Sequence, residues 1–170
     1  MVSNPTAYSA LQQEIDDAAA SGAISSPITE AEAQRLPYLQ AVIRESIRLW
    51  PPANGLGSKQ VPAGGDVICG YHVPAGTQVG HNFSGIMQLK SLWGNDAEAF
   101  RPERWIEAAA GDQEKDKAMN AVVELAFGSG KYQCLGKTIA RMELNKVFVE
   151  VSSHYLYQSS PEPRSGFLDD

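Results

Sequence analysis

The sequence predicts a mainly α fold with a small antiparallel β-sheet. Three observations predict it. Apolar residues recur at helical spacing over 6–20 and 36–49. A stretch punctuated by glycine and proline, with short β-prone runs, occupies the middle of the chain. A last long amphipathic pattern follows a loop in which three glycines surround one cysteine, Phe127-Gly128-Ser129-Gly130-Lys131-Tyr132-Gln133-Cys134-Leu135-Gly136.

The elements follow in order. Tyr8, Leu11, Gln12 and Ile15 share one face of a helix over 6–20, and Gly22 ends it. Ser25-Ser26-Pro27-Ile28 breaks the chain, and Thr29 with Glu30 and Glu32 opens a new helical turn. A second helix runs from Leu36 to Leu49, with Leu39, Val42, Ile43, Ile47 and Trp50 as its apolar positions. Pro51-Pro52 stops it. Asp66–Cys69, Tyr71–Val73 and Thr77–Gly80 read as strands joined by tight turns. Helix is expected again over 82–93, then turns over 94–104. Residues 107–118 are polar and alanine-rich and read as a solvated loop or short helix. The last helix is expected from Leu135 to His154, with its N-terminus at Cys134 and with Leu135, Ile139, Met142, Val147 and Val151 as its core stripe. Residues 158–170 read as a mobile tail.

Composition narrows the function classes. With 170 residues, 43% apolar and 20% charged, the chain is long enough for one domain with its own core. A net charge of −6 gives no basic footprint for nucleic acid. No apolar run is long enough to span a bilayer, and the N-terminus lacks the basic and apolar regions of a signal peptide. A soluble intracellular protein is expected. Two cysteines 65 positions apart, with no C-x-x-C pair, suggest neither a disulfide framework nor structural zinc. Cys69 reads as a small buried apolar residue, and Trp50, Trp93 and Trp105 as core or cover. His72, His81 and His154 show no ligand spacing, and Asp16-Asp17 and Asp169-Asp170 read as solvated charges.

Two charged segments and one loop carry chemistry. Glu45 and Arg48, three apart on a helix, share a face beside its apolar stripe. They form either a surface ion pair or a buried two-point arginine–carboxylate clamp. Phe100-Arg101-Pro102-Glu103-Arg104-Trp105 is either a turn with solvated charges or one that feeds Arg104 into that pair. In the cysteine loop, Gly128, Gly130 and Gly136 permit positive φ or close backbone approach. The helix start behind Cys134 favours a thiolate, and a cysteine held this way can bind haem iron axially. A buried apolar cysteine would leave those glycines unexplained.

These motifs carry a resemblance. Phe127-x-x-Gly130-x-x-x-Cys134-x-Gly136 resembles the haem-binding loop of the cytochrome P450 superfamily. Glu45-x-x-Arg48 is similar to that family's E-x-x-R helix, Phe100–Trp105 to its P-E-R-W segment, and Tyr71–Thr77 to its G-Y-x-I-P-x-G-T hairpin. The four stand in the family's order, and the resemblance covers nearly the whole chain. The variant from Gly130 to Lys137 resembles fungal members of the pisatin-demethylase and benzoate-hydroxylase kind.

The resemblance implies a partial P450 domain over 1–157, the proximal C-terminal third of a haem-thiolate monooxygenase. Cys134 would be the axial thiolate of haem b. Phe127, Gly128, Gly130, Lys131, Tyr132 and Gly136 would frame the cofactor, and Glu45, Arg48 and Arg104 would form the triad that steadies the loop. It also implies hydroxylation or oxidative demethylation of a small organic molecule, with O2 and with electrons from NADPH–cytochrome P450 reductase, in fungal secondary metabolism or detoxification. Tyr132 stands where the family commonly has a propionate-binding arginine, next to Lys131. Lys59 is the nearest basic residue ahead of the hairpin. The distal helix that delivers protons in the family has no match here, so turnover by this chain alone is not expected. Full-length relatives are mostly anchored to the endoplasmic reticulum. A non-catalytic remnant, or an electron-transfer or scaffold module that keeps the partner surface, are the competing readings.

Overall fold

A computed structural model of the protein describes residues 4–52 and 58–155, with the backbone alone at His154 and Tyr155. The expected tail at 158–170 lies outside the described residues. Among them the fold is mainly helical, with two small antiparallel ladders.

Helix α1 spans Pro5–Ala20. The Asn4 side chain caps it by accepting the Ala7 N–H, and Pro5 stands in the first turn, where its missing N–H costs nothing. The Asn4 amide also donates to the Phe100 carbonyl at 2.8 Å, tying the start of the chain to the segment before Arg104. Gly22, at φ 68°, takes the left-handed conformation that ends such helices. The short helix α2, Glu30–Ala33, starts on a capping box in which Thr29 and Glu32 satisfy each other's backbone. Helix α3, Pro37–Leu49, lies at the centre and packs against α1, α6 and α8.

Strand β1 (Lys59–Gln60) pairs with β4 (Gln78–Val79), and β2 (Asp66–Ile68) with β3 (Tyr71–Val73). There are thus two ladders rather than one sheet, and β1 is too short to leave an alternating pattern. Cys69 is not the buried residue its strand pattern suggests. It is exposed at the β2–β3 turn, where Cys69 (φ 51°) and Gly70 (φ 83°) both take positive φ, as a two-residue hairpin turn requires.

The helix expected over 82–93 is interrupted. It forms α4 (Phe83–Met87) and α5 (Lys90–Trp93), with Leu89 extended between them. Of the two readings of residues 107–118, the helical one holds, over two helices longer than expected. Helix α6 covers Glu103–Gly111 and α7 covers Gln113–Glu124, which Asp112 caps through the Lys115 N–H. Polar residues fill the outer face of α7, so composition hides its anchors, Met119 and Val123. Trp93 and Trp105 are buried as expected, whereas Trp50 lies past the end of α3 and is 65% exposed.

Helix α8, Lys137–Tyr155, departs most from expectation. It begins three residues after Cys134, not at it. The stripe Leu135, Ile139, Met142, Val147 and Val151 is exposed, with Ile139 57% and Leu135 wholly open. The inward face carries Asn145, Val149 and Ser152, with Ala140, Leu144 and Phe148 half-buried. Hydrogen bonds choose this face. Gln40 of α3 donates to the Asn145 side chain at 2.9 Å, and Glu150 accepts the Ile28 N–H at 2.8 Å. A polar group that must be satisfied fixes the rotation of a helix that is apolar on several sides.

Met119→Ala is therefore expected to cost about 2–5 kcal/mol as a core truncation. Ile139→Ser is expected to stay within about 0.5 kcal/mol of the parent protein. Denaturant titration of the two variants checks the assignment, and the opposite ranking overturns the orientation of α8.

Candidate functional site

The centre of the described fold is a carboxylate that water does not reach. Glu45 is 0% exposed, and its two oxygens accept five hydrogen bonds. Oε1 takes Arg48 Nη2 at 2.7 Å, the Arg101 N–H at 2.9 Å and Arg104 Nε at 3.0 Å. Oε2 takes Arg48 Nε and Trp105 Nε1, both at 2.9 Å. The helical spacing from Glu45 to Arg48 gives the two-point clamp, and α6 delivers Arg104 and Trp105 from the other side. Burial pushes the Glu45 carboxyl up. The Arg48 hydrogen bonds and charge, the Arg101 amide and the Arg104 charge outweigh it and hold the group below its ordinary value.

Most of the remaining donors of both guanidinium groups go to backbone carbonyls. Arg48 Nη1 reaches Met87 O at 2.7 Å and Ala97 O at 2.6 Å, and Nη2 reaches Ala99 O at 3.0 Å. Arg104 Nη1 reaches Trp93 O at 2.6 Å, and Nη2 reaches Asp96 O at 3.0 Å and Ala99 O at 3.2 Å. Two buried cations around one carboxylate leave an excess positive charge, and such an excess is costly. Asp96 offsets it. Its carboxylate accepts Arg104 Nη1 at 3.2 Å and Arg101 Nε at 2.6 Å. Burial pushes the Asp96 carboxyl up, and the arginines bring it below its ordinary range. Sequence reasoning missed Asp96, although a count of charges in the buried set calls for one more acid.

The cysteine loop sits between α7 and α8. Short 3-10 turns at Leu125–Phe127 and Gly130–Tyr132 fold it, and the Cys134 N–H closes it on the Phe127 carbonyl at 2.7 Å. Gly128 has φ 71°, and a Cβ there would stand 2.5 Å from the Tyr132 carbonyl oxygen, so only glycine fits. Gly130 also has positive φ, whereas Gly136 does not and lies beside the sulfur. Cys134 is exposed, with the open side chains of Leu135 and Ile139 following it in sequence. Phe127 is buried beneath the loop, with Lys137 Nζ 6.0 Å and the Arg141 guanidinium 5.7 Å from its ring centre. Glu124 pairs with both Lys137 and Arg141, joining the end of α7 to the start of α8. Lys59 Nζ stands 3.4 Å, and Lys131 Nζ 5.0 Å, from the centre of the Tyr132 ring. Residues from β1 and the loop, 72 positions apart from Lys59 to Lys131, thus gather positive charge at one place beside the cysteine loop.

Three outcomes are expected. A carboxyl depressed in the folded state contributes stability that is complete above its unfolded value and is lost as pH falls through the folded one. The protein should therefore lose stability below about pH 4.5, the ordinary Glu value. Asp96→Asn should lower the neutral-pH midpoint and flatten that acid-side fall, as read by denaturant melts across pH. Gly128→Ala should place roughly 1–3 kcal/mol of strain in the loop and speed hydrogen exchange at the Cys134 amide.

Comparison with known proteins bears on this arrangement. The sequence matches the family model described as Cytochrome P450 over residues 1–165. It is 44% identical over 159 residues to cytochrome P450 monooxygenase ABA1 of Pyricularia oryzae, covering 93% of this chain and 30% of that one. It is 48% identical over 150 residues to cytochrome P450 monooxygenase abl1 of Leptosphaeria maculans, covering 88% and 26%. To pisatin demethylase of Fusarium vanettenii it is 36% identical over 155 residues, covering 91% and 28%. The chain spans less than a third of the length of these relatives. Haem b, bound through a cysteine thiolate, is the cofactor of the matched family. With its buried Glu45–Arg48–Arg104 core, its glycine-framed cysteine loop and a family match over nearly all of its length, the chain belongs to the cytochrome P450 family.

Proposed function

We propose that this chain is the proximal, cysteine-bearing part of a haem-thiolate monooxygenase, with Cys134 as the axial ligand of haem b. One observation carries the reading: the Cys134 thiol is exposed on a loop whose closing hydrogen bond and tight glycine leave the sulfur facing outward rather than packed away. The residues fit the group. The exposed apolar side chains of Leu135 and Ile139 offer hydrocarbon to a flat macrocycle. The Lys59, Lys131 and Tyr132 cluster offers cations and a hydroxyl to its carboxylates, as separate point charges in place of one arginine fork.

In this reading Phe127 braces the loop from below, and Gly128, Gly130 and Gly136 give the backbone its close approach. Glu45, Arg48 and Arg104 keep the segment before α6 in place, and the partial domain covers 1–157. Haem b, when bound, supplies the oxygen activation. The protein would supply position, an axial sulfur ligand and an apolar surface. The whole protein would hydroxylate or oxidatively demethylate a small organic molecule in fungal secondary metabolism, taking electrons from NADPH–cytochrome P450 reductase and oxygen from O2. The relatives named above, all fungal and two of them named monooxygenases, support this. No described helix is long and apolar enough to cross a membrane, and anchorage at the endoplasmic reticulum would rest with other parts of the whole protein. Turnover belongs to that whole protein rather than to this span.

The test is spectroscopic. The 170-residue protein is produced with haem supply, reduced and exposed to carbon monoxide. The strongly red-shifted Soret band of a thiolate-ligated ferrous carbonyl is expected, and Cys134→Ala should abolish it. Absence of haem uptake, or an unchanged band in Cys134→Ala, overturns the assignment and favours the non-catalytic reading.

A further inference from the structure

Helices α3, α7 and α8 enclose a cavity of about 310 Å³ that no part of the haem reading uses. Its walls are of two kinds. Ile43, Ile47 and Val123 form an apolar side. Arg44, Arg141 and Asn145 supply donors to the polar side.

The charges there are unbalanced. Arg44 is half-buried, yet its best polar partner is the neutral Asn120 side chain, with Nη1 to Oδ1 at 3.5 Å. No carboxylate among the described residues forms an ion pair with it. Asp116 attracts it only from a distance, and Arg141 repels it. Burial depresses the Arg44 pKa, an effect that a bound anion would relieve. Glu124, the acid on the cavity wall, is already held by Lys137 and Arg141. Asn145 is 4% exposed, and its carbonyl oxygen accepts the Gln40 amide at 2.9 Å. Its own amide hydrogens have no partner among the described residues, and the side chain lines the cavity. A desolvated guanidinium without a counter-ion, beside a buried amide with donors to spare and an apolar wall, has the chemistry of a carboxylate site.

We propose that this cavity binds a small carboxylate. The carboxyl sits on the Arg44 guanidinium fork and the Asn145 amide, and a short hydrocarbon body lies against Ile43, Ile47 and Val123. The carboxylate belongs either to a free acid or to an acidic side chain of a partner, and both present the same group.

The probes are glutarate and a short glutamate-containing peptide, titrated into the 170-residue protein at fixed ionic strength with chloride as the control. Binding is read by ligand-observed NMR and by the thermal midpoint. Saturable glutarate binding in the millimolar range is expected, weakened at least about tenfold in Arg44→Gln. Arg44→Lys should fall between, because it keeps the charge and loses the fork. Gln34→Glu changes an exposed residue at the cavity wall, leaves the core intact and should also weaken binding, by repulsion. Saturation by glutarate assigns a free acid, and saturation by the peptide alone assigns a partner's side chain. Equal effects of chloride, no saturation by either probe, or undiminished binding in both Arg44→Gln and Gln34→Glu overturn the proposal. Cys134→Ala should bind glutarate normally, so this site and the haem assignment fail independently.

Discussion

The described fold depends on one buried negative charge. Segment 94–102 has no helix or strand of its own, yet it runs beside the core, and its carbonyls need donors. The two arginines drawn to Glu45 supply them. Each guanidinium spends part of its fork on the carboxylate and most of the rest on main-chain oxygens of residues 87–99, and Arg104 also reaches the Asp96 side chain. A side-chain network thus does what a backbone ladder does elsewhere. A buried ion pair is weak evidence of stability by itself. Here its role is organisational, because it fixes an irregular segment and the start of α6 relative to α3. Removing the carboxylate would strand two cations as well as free a loop.

The cysteine loop is held by a second, more exposed device. Glu124 at the end of α7 grips Lys137 and Arg141 in the first turns of α8, so the loop between them has both ends fixed. Phe127 fills the space below, and the sulfur is left outside. The apolar side chains beyond it on α8 remain open because Asn145 and Glu150 turn the helix by their hydrogen-bonding needs. A helix with hydrocarbon on its open face suits the interior of a larger assembly, which agrees with a chain spanning under a third of its relatives.

How much of this was legible follows from the range of each interaction. The caps at Thr29 and Gly22, the spacing from Glu45 to Arg48 and the glycines around Cys134 are local, and the sequence announces them. Arg104 was legible as a possible partner, but Trp105 Nε1 was not, since its role exists only once α6 meets α3 across 60 positions, and Asp96 was not, since it is needed only once Arg104 is buried beside Glu45. Composition concealed α7, because a helix needs few apolar residues when only Met119 and Val123 face inward. The orientation of α8 was misread for the opposite reason. Counting apolar residues picked the wrong side of a helix whose rotation is set by an asparagine.

The bond between the Phe127 carbonyl and the Cys134 amide divides the loop's tolerances in two. Residues 129 to 135 are all exposed, so most of their side chains answer to solvent and to whatever docks there rather than to the core. Their number is another matter. Seven steps of backbone must return the amide to one oxygen, and a single inserted or deleted residue would turn the sulfur away whatever its identity. Outside Gly128 and the cysteine itself, the lettering of this loop is looser than its length.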